Sequence, residues 1–502
     1  MIGIDIGLQA GASKLVMEAL ARGYQLSPDA LSLFQKIEDK FDLMKVLEKV
    51  IEIKKSKKEG LIISKDDVMK VLPEELVDEL EQKVEKKVEE VEEIEDRLTI
   101  NFEPTNKISP SDGVDGFKNL FLNRYEKLMK IVRKRPDSYE IQKISSINKS
   151  KKVKVAGLVM EKKVKRKRAE LTIDDDTGSI SLIALDRKVR ESVEDVCQDQ
   201  LVIAEVDFSK RGLAILKSIS HPDIPSRVVN TSQKEVYVIL TSDIHVGSKK
   251  FMKEAFKRFL YWLSGRYGDL EIVRKIKYMI IAGDLVDGVG IYPEQDLELE
   301  KKDVKEQIND AFSLIKDIPK HMRILISVGN HDPVRQALPQ PSIPKDYSSK
   351  FLSLENVNLV GNPCYVSLHG VNLLVYHGQS LYDVVATIPN QSFSKPASAM
   401  KTLLKARHLA PIYGQRTQIA IEEKDYLVID EVPDIFHSGH IHVLDSSEYK
   451  GTLLINSGAW EERTRYQINM GIDPTPGIVP IVNLSNFNII SKDFTKPLKF
   501  AD

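Results

Sequence analysis

The chain has 502 residues, 42% of them hydrophobic and 29% charged, with a formal net charge of −1. This is globular composition spread over more than one ordinary core and without global attraction to nucleic acid, so any such contact must come from a local patch or a partner. Two cysteines, Cys197 and Cys364, exclude a cysteine-based zinc site, and no run approaches the roughly 20 apolar residues that cross a bilayer, so a cytoplasmic protein with no disulfide and no membrane contact is expected.

Residues 1–72 predict a small helical module. Ser27-Pro28-Asp29 marks a helix start, with Ser27 as cap and Pro28 at the first helical position. Leu31, Leu33, Phe34, Ile37, Phe41, Met44 and Leu47 follow at helical spacing, and after a turn at 57–60 a shorter helix runs from Asp66 to Leu72. The opening Gly3-Ile4-Asp5-Ile6-Gly7 has the look of an ATPase phosphate loop, but that reading needs a hairpin next, where the chain turns helical instead. Residues 73–134 predict a charged, solvated helix from Glu74 to Arg97, then a linker containing Pro104 and Pro110.

Residues 135–225 alternate as a small β-barrel does. Val153 to Val159, Ala169 to Ile173 and Ile180 to Leu185 predict three strands, the last two joined by the turn Asp174-Asp175-Asp176-Thr177-Gly178-Ser179. A helical stretch from Val189 to Asp199 precedes strands at Leu201–Val206 and Leu213–Ile219. Three strands, a helix and two strands is the order of an OB-fold. The hairpin Lys162, Lys163, Lys165, Arg166, Lys167 and Arg168 could meet a nucleic-acid backbone, or serve as a solvated or protein-docking edge; stacking aromatics are nearly absent.

Residues 226–502 alternate strands with helices. Apolar strands are predicted at Glu235–Leu240, Lys277–Ala282, Arg323–Val328, Val371–Tyr376 and Leu453–Ile455, with helices at Glu254–Leu263 and Val304–Lys316 between the first three. That order is α/β, and ligands in such folds gather at the carboxyl ends of strands. Ser242-Asp243-Ile244-His245, Gly283-Asp284-Leu285-Val286-Asp287, Gly329-Asn330-His331-Asp332 and Tyr376-His377-Gly378 each begin where a strand stops, and Gly439-His440-Ile441-His442 follows later. Carboxylate, imidazole and amide side chains on one sheet edge are what hold two adjacent divalent cations, and such a pair can activate water against a phosphate ester. Glycine before the ligand lets the backbone turn tightly. Phosphoester hydrolysis is the expected reaction.

These motifs resemble the calcineurin-like metallophosphoesterase superfamily. With His377-Gly378-Gln379-Ser380, the stretch Leu403–Pro411, Asp434–His440 and the barrel-like segment before them, the chain is similar to the small subunits of archaeal family D DNA polymerases over residues 135–490. The resemblance implies a two-sheet phosphoesterase sandwich, a metal-dependent 3′-to-5′ proofreading exonuclease, and docking on a large polymerase subunit. DNA with a 3′ end, a sliding clamp and a primase are its other candidate partners. It implies that Asp243, His245 and His442 hold one metal, that Asp284 bridges, and that Asn330, His377 and His440 hold the second. His331 would stand over the phosphate as proton donor, with Asp287 orienting its ring. A mixed oxygen and nitrogen set suits Mn²⁺, Fe or Zn²⁺, and the resemblance favours Mn²⁺.

Outside that set, Arg407 and His408 are candidate substrate contacts, with a helix-capping role the alternative for His408. His437 either supports the last motif or packs, while His321 and His369 are expected at the surface. A phosphatase of the same superfamily would carry arginines where this chain has Gly288 and Val328. A scaffold without catalysis would have no reason to keep every ligand position.

Overall fold

A computed structural model describes residues 10–38, 41–57, 62–73, 95–148 and 152–496, so the Gly3–Gly7 run and most of the charged stretch after Glu74 lie outside the described residues. The chain divides into two units, one of Met1–Glu92 with Ser264–Leu270 and Pro497–Asp502, the other of Glu93–Leu263 with Glu271–Lys496. In the first unit, helices α1 (Ala10–Ala21), α2 (Pro28–Ile37), α3 (Leu43–Lys57) and α4 (Lys65–Met69) surround a core containing Leu15, Phe34, Ile37, Leu47 and Val68. Two short strands, β1 (Gln25–Leu26) and β2 (Ile62–Ile63), pair in parallel beside them. Ser27 Oγ accepts from Ala30 N at 3.3 Å, as the cap reading requires.

The second unit opens with two elements that sequence reading missed. Strand β3 (Leu98–Phe102) and the 20-residue helix α5 (Gly113–Val132) occupy what was expected to be linker. Their signals are present: Leu98, Ile100 and Phe102 alternate, and Leu120, Tyr125, Leu128, Met129 and Val132 recur at helical spacing and are buried. The flanking prolines and charges mask them.

A short strand β4 (Ile141–Gln142) leads into a barrel of β5 (Val153–Lys165), β6 (Arg168–Asp175), β7 (Gly178–Ala184), β8 (Leu201–Phe208) and β9 (Ala214–Ser220). The ladder runs β5-β6-β7-β9-β8, and β8 pairs with β5 to close it. Helix α6 (Arg187–Glu194) sits between the third and fourth barrel strands. Val155, Leu171, Ile173, Leu182, Ala204 and Leu216 point inward at the period of two that strands impose. Asp175 Oδ1 accepts from Thr177 N at 2.7 Å and Gly178 N at 3.1 Å, which sets the predicted turn.

The rest is two six-stranded sheets. One has the order β13-β12-β11-β10-β19-β20, built from β10 (Tyr237–Thr241), β11 (Ile276–Ala282), β12 (Arg323–Ser327), β13 (Val357–Leu359), β19 (Ile478–Asn483) and β20 (Ile489–Asp493). The other has the order β17-β18-β16-β15-β14-β3, adding β14 (Cys364–Leu368), β15 (Val371–Val375), β16 (Ile435–Ser438), β17 (Asp445–Tyr449) and β18 (Thr452–Asn456). Val238, Leu240, Ile280 and Leu325 of the first sheet share a core with Val366, Leu373, Val375 and Ile455 of the second. Alternate residues of the second sheet, Leu374, Phe436 and Leu454, face helices α9 (Leu381–Thr387) and α10 (Pro396–Ala406) instead. Helices α7 (Lys253–Leu263) and α8 (Val304–Ile315) connect strands of the first sheet, and α11 (Arg465–Asn469) follows β18. Among the described residues no helix is long and apolar enough to cross a membrane.

His321 and His369, expected at the surface, are half-buried, and each has an Nε2 shielded from solvent without a hydrogen bond. For His369 the cause is packing, because its ring stands edge-on to Tyr278 at 5.6 Å.

Candidate metal centre

Strands β10, β11 and β12 run parallel in one sheet, and β15 and β16 run parallel in the other. Their carboxyl ends therefore carry all five motifs, and the side chains converge. His442 Nε2 lies 3.3 Å from Asp243 Oδ1 and 3.2 Å from His245 Nε2. His377 Nε2 lies 3.1 Å from Asp284 Oδ2, 3.1 Å from Asn330 Oδ1 and 3.2 Å from His440 Nδ1. Asp284 Oδ2 is also 3.9 Å from His245 Nε2, so this carboxylate stands between the two groups. All seven expected ligand positions are brought together, in the two sets that the resemblance implies. Asp243 Oδ1 is buried without any hydrogen-bond donor. A buried carboxylate oxygen facing only imidazole nitrogens is poorly satisfied by protein alone and fits a cation.

The backbone is bent to make this cluster. Asp243, His245, Asp284, His440 and His442 have φ of +52°, +53°, +53°, +68° and +63°. For residues with a Cβ this region costs roughly 1–2 kcal/mol each, and such strain collects at functional sites. Clearance explains the glycines. A Cβ on Gly283 would stand 2.6 Å from His377 Nδ1, and one on Gly329 would stand 2.7 Å from His377 Nε2.

Ring orientation is set from behind. His245 Nδ1 donates to Asp287 Oδ1 at 2.9 Å and His377 Nδ1 to the Ala282 carbonyl at 2.8 Å, leaving each Nε2 lone pair turned to the cluster. His442 differs. Gln467 Nε2 is 2.7 Å from its Nδ1 while Gln467 Oε1 accepts from Thr464 N. Metal ligation through Nε2 would need a proton on Nδ1, which Gln467 would accept only with its amide turned over, at the cost of the Thr464 bond. Burial lowers the His245 and His377 imidazoles, but neighbouring carboxylates outweigh it. Glu461, Asp287 and Asp284 lift His245 well above its ordinary value, and Asp284 and Asp243 lift His377 to about 9. Burial works against charge on Asp243 and Asp284 too, yet the histidines hold both below the usual carboxylate range.

His331 lies at the mouth of the cluster. Its backbone N–H donates to Asp284 Oδ1 at 2.8 Å and its Nδ1 to the Asp287 carbonyl at 2.7 Å, which frees Nε2. Asp287 orients His331 through its main-chain oxygen, while its carboxylate, 3.7 Å from His331 Nδ1, bonds His245 and accepts from Gln295 Nε2 at 3.2 Å. His437 reaches the site through a chain, with its Nε2 at 3.1 Å from Ser457 Oγ, Ser457 Oγ at 2.7 Å from Ser242 Oγ, and Ser242 bonded to Asp243.

Sequence reading assigned nothing to Asp332, which is buried and accepts from Gly329 N at 2.8 Å, Asp284 N at 2.9 Å, Leu285 N at 3.0 Å and Val286 N at 3.3 Å. Its place in the Gly-Asn-His-Asp motif was the available signal. The site opens into a cavity of about 1000 Å³. Tyr292 stands 6.2 Å from His331, and Tyr382 stands edge-on to His440 at 5.1 Å under the Arg416 guanidinium. No motif marks these aromatics.

The expected nucleic-acid contacts divide. Lys163 pairs with Glu161 and Arg168 with Glu170, while Lys165, Arg166 and Lys167 are exposed at the hairpin tip. Lys162 is drawn inward, donating to the Glu194 and Val196 carbonyls. Arg407 and His408 are buried and do not meet a strand lying on the surface, which corrects that reading. Arg407 Nε donates to the Ile429 carbonyl, and His408 Nε2 lies 2.9 Å from Asp425 Oδ2, which also takes Arg124 Nε at 2.8 Å.

A family model describing the B subunits of DNA polymerases alpha and epsilon matches residues 238–442, the stretch that carries every motif. The DNA polymerase II small subunit of Archaeoglobus fulgidus is 36% identical over 483 residues, covering 94% of this chain and 96% of that protein. Those of Pyrococcus furiosus (38% over 386 residues) and Methanothermobacter thermautotrophicus (36% over 389 residues) cover 75% and 76% of this chain. The chain spans 63% of the Pyrococcus furiosus protein's length and 80% of the Methanothermobacter one. Among solved structures, zinc-complexed Vps29 of Entamoeba histolytica is 14% identical over 52% of this chain and 99% of its own, with a TM-score of 0.25 that is too low to weigh. The motif-bearing stretch is thus similar to the B subunits of DNA polymerases. The chain as a whole belongs to the DNA polymerase II small-subunit family, the small subunits of archaeal family D polymerases.

Proposed function

We propose that this chain is a metal-dependent 3′-to-5′ exonuclease that proofreads DNA beside a separate large polymerase subunit. The observation that carries the reading is the convergence of Asp243, His245, Asp284, Asn330, His377, His440 and His442, with Asp243 Oδ1 left unpartnered. Asp243, His245 and His442 would hold one divalent cation, Asn330, His377 and His440 the second, with Asp284 shared; Mn²⁺ is favoured by family resemblance. When bound, such cations acidify a water and offset phosphate charge.

The chain's own residues do the rest. His331, with Nδ1–H committed to the Asp287 carbonyl, delivers a proton from Nε2 to the departing oxygen when its ring is cationic. Asp287 keeps His245 turned toward the cluster. The open cavity, with Tyr292 and Tyr382 beside the two imidazoles, suits an unpaired nucleotide better than a small phosphomonoester. Gly288 and Val328, standing where superfamily phosphatases carry arginine, point the same way.

The test uses the purified chain with Mn²⁺ and a primer mismatched at its 3′ end, with a phosphomonoester assayed alongside. His331→Ala should slow nucleotide removal by roughly 10²–10⁴, and Asp284→Ala should abolish it. Equal degradation by all three proteins, or turnover of the monoester alone, overturns the reading.

A further inference from the structure

The metal-candidate cavity is furnished at two ends. Tyr292 stands 6.2 Å from His331, whose ring meets His245 edge-on at 4.7 Å, so this tyrosine borders the His245 group. Tyr382 meets His440 edge-on at 5.1 Å, and His440 meets His377 at 4.9 Å, so the second tyrosine borders the other group. The Tyr382 end carries more. The Arg416 guanidinium lies 4.5 Å from the centre of the Tyr382 ring and 5.2 Å from that of Tyr466, and its Nη1 donates to the Tyr466 hydroxyl.

An exposed arginine ordinarily spreads over many rotamers, but this one is fixed at both ends. Its backbone N–H and that of Thr417 donate to the two carboxylate oxygens of Asp383 at 3.1 and 3.0 Å, and Asp383 follows Tyr382 in α9. Loop, helix and stacked side chains are thereby one preorganised unit. The guanidinium makes no ion pair among the described residues, and its side-chain partners are the two tyrosines. Thr417 Oγ1 and Gln379 Oε1, on residues lining the same cavity, are shielded and lack a hydrogen-bond partner among the described residues. A corner with a cationic plane, two rings and unused polar atoms suits a nucleobase, which is flat on its faces and polar at its edges.

The chemistry of the cut decides which nucleotide sits there. On the exonuclease reading, on which this step rests, water forms the new P–O bond and gives up a proton to solvent. The bond from phosphorus to O3′ of the penultimate sugar breaks, and His331 Nε2 gives that departing oxygen its proton. The penultimate sugar therefore lies on the His331 side, where the exposed Tyr292 leaves room for the strand to continue. The 3′-terminal nucleotide, held by another ester oxygen of the same phosphate, extends toward the opposite end. We propose that Arg416, backed by Tyr382 and Tyr466, seats the 3′-terminal base, and that Tyr292 seats the base before it. Two bases seated at opposite ends of the centre cannot stack on each other, so an end already frayed by a mismatch enters more readily than a paired one.

The first experiment titrates the full chain with Mn²⁺ by calorimetry, using dAMP and 2-deoxyribose 5-phosphate, which lacks a base. Wild type is compared with Arg416→Ala and Arg416→Lys, and melting curves check the fold. Affinity for dAMP should fall roughly 5–100-fold in both variants, because lysine keeps the charge and loses the plane, while the baseless sugar phosphate should bind all three proteins alike. Equal loss for both ligands, rescue by lysine, or a wild type that binds dAMP no better than the sugar phosphate overturns the seat. The second experiment follows nucleotide release from single strands that lack the last or the penultimate base, with Arg416→Ala and Tyr292→Ala. The Arg416 defect should vanish when the last base is missing and the Tyr292 defect when the penultimate one is, with a 5′-mononucleotide as product by mass spectrometry. The reverse assignment, defects indifferent to the missing base, or a 3′-mononucleotide overturns the proposal and leaves the exonuclease reading standing. No nucleotide release by wild type overturns both.

Discussion

Asp332 offers the sharpest test of how the centre is held. One carboxylate takes four backbone N–H groups from two different loops, those that carry Asp284 and Asn330. Hydrogen bonds to a charged group contribute roughly 1.5–3 kcal/mol each, and a buried donor left unpaired costs a comparable amount. The four are not additive, because they share one acceptor and the loops relax. Losing the equivalent of two gives about 3–6 kcal/mol for Asp332→Ala. In local opening that is roughly a 10²–10⁴-fold change, at about 1.4 kcal/mol per decade. Hydrogen exchange followed by mass spectrometry reads this directly, in a peptide spanning 283–287 and one spanning 328–332, with a barrel peptide from β6 as the internal reference. Asp332→Asn, which keeps one acceptor, should fall between wild type and alanine. Mn²⁺ affinity should drop about 10–100-fold in parallel, as it does when groups that orient ligands are removed. Unchanged protection in both peptides would refute the clamp, whatever happened to activity.

Three further outcomes follow from the geometry. Asp287→Ala should weaken Mn²⁺ binding by about 10–100-fold in calorimetry, since His245 loses the acceptor that fixes its proton on Nδ1; wild-type affinity would show that the ring is held by packing alone. Arg124→Met strips the cation from buried Asp425 and should cost roughly 3–5 kcal/mol, lowering the melting temperature by several degrees, with part recovered in Arg124→Met/Asp425→Leu; a single variant that melts like wild type sinks this. Burial, helped by the Lys405 charge, lowers His221 to about 4, against about 6.5 in an unfolded chain. The unfolded chain therefore binds the proton first, so stability falls as pH drops from 6.5 toward 4, by up to about 3 kcal/mol. His221→Gln should flatten that fall in urea melts at pH 7 and 4.5, and an unchanged pH profile would contradict the assignment.

The parts of this molecule legible in sequence were those where one residue type does one job at a fixed spacing. Apolar β-branched runs marked β10, β11, β12, β15 and β18, and each Gly-Asp or Gly-Asn-His marked a tight turn at a strand end. Long-range partnerships carried no such mark. That Arg124, Asp425 and His408 would share one buried cluster depends on elements hundreds of residues apart, so His408 looked as available for substrate as for packing. Asp287 was read from its three-residue distance to Asp284, but which histidine its carboxylate meets is decided by the crossing of two loops. The charge and prolines around 95–116 resembled solvated linker because strand β3 is only five residues long and finds its meaning in a distant pairing.

That pairing constrains how the molecule can be made. Thr99 of β3 lies opposite Ser367 of β14, so the N-terminal border of the two-sheet body leaves the ribosome about 270 residues before its neighbour. The barrel is strung between them, tethered at both its entry and its exit. Cutting the chain after the barrel, where a boundary near 226 invites it, would remove an edge strand and bare the backbone of β14 to other chains. A two-sheet fragment trimmed at that point should aggregate, whereas one that begins ahead of Leu98 keeps its own border closed.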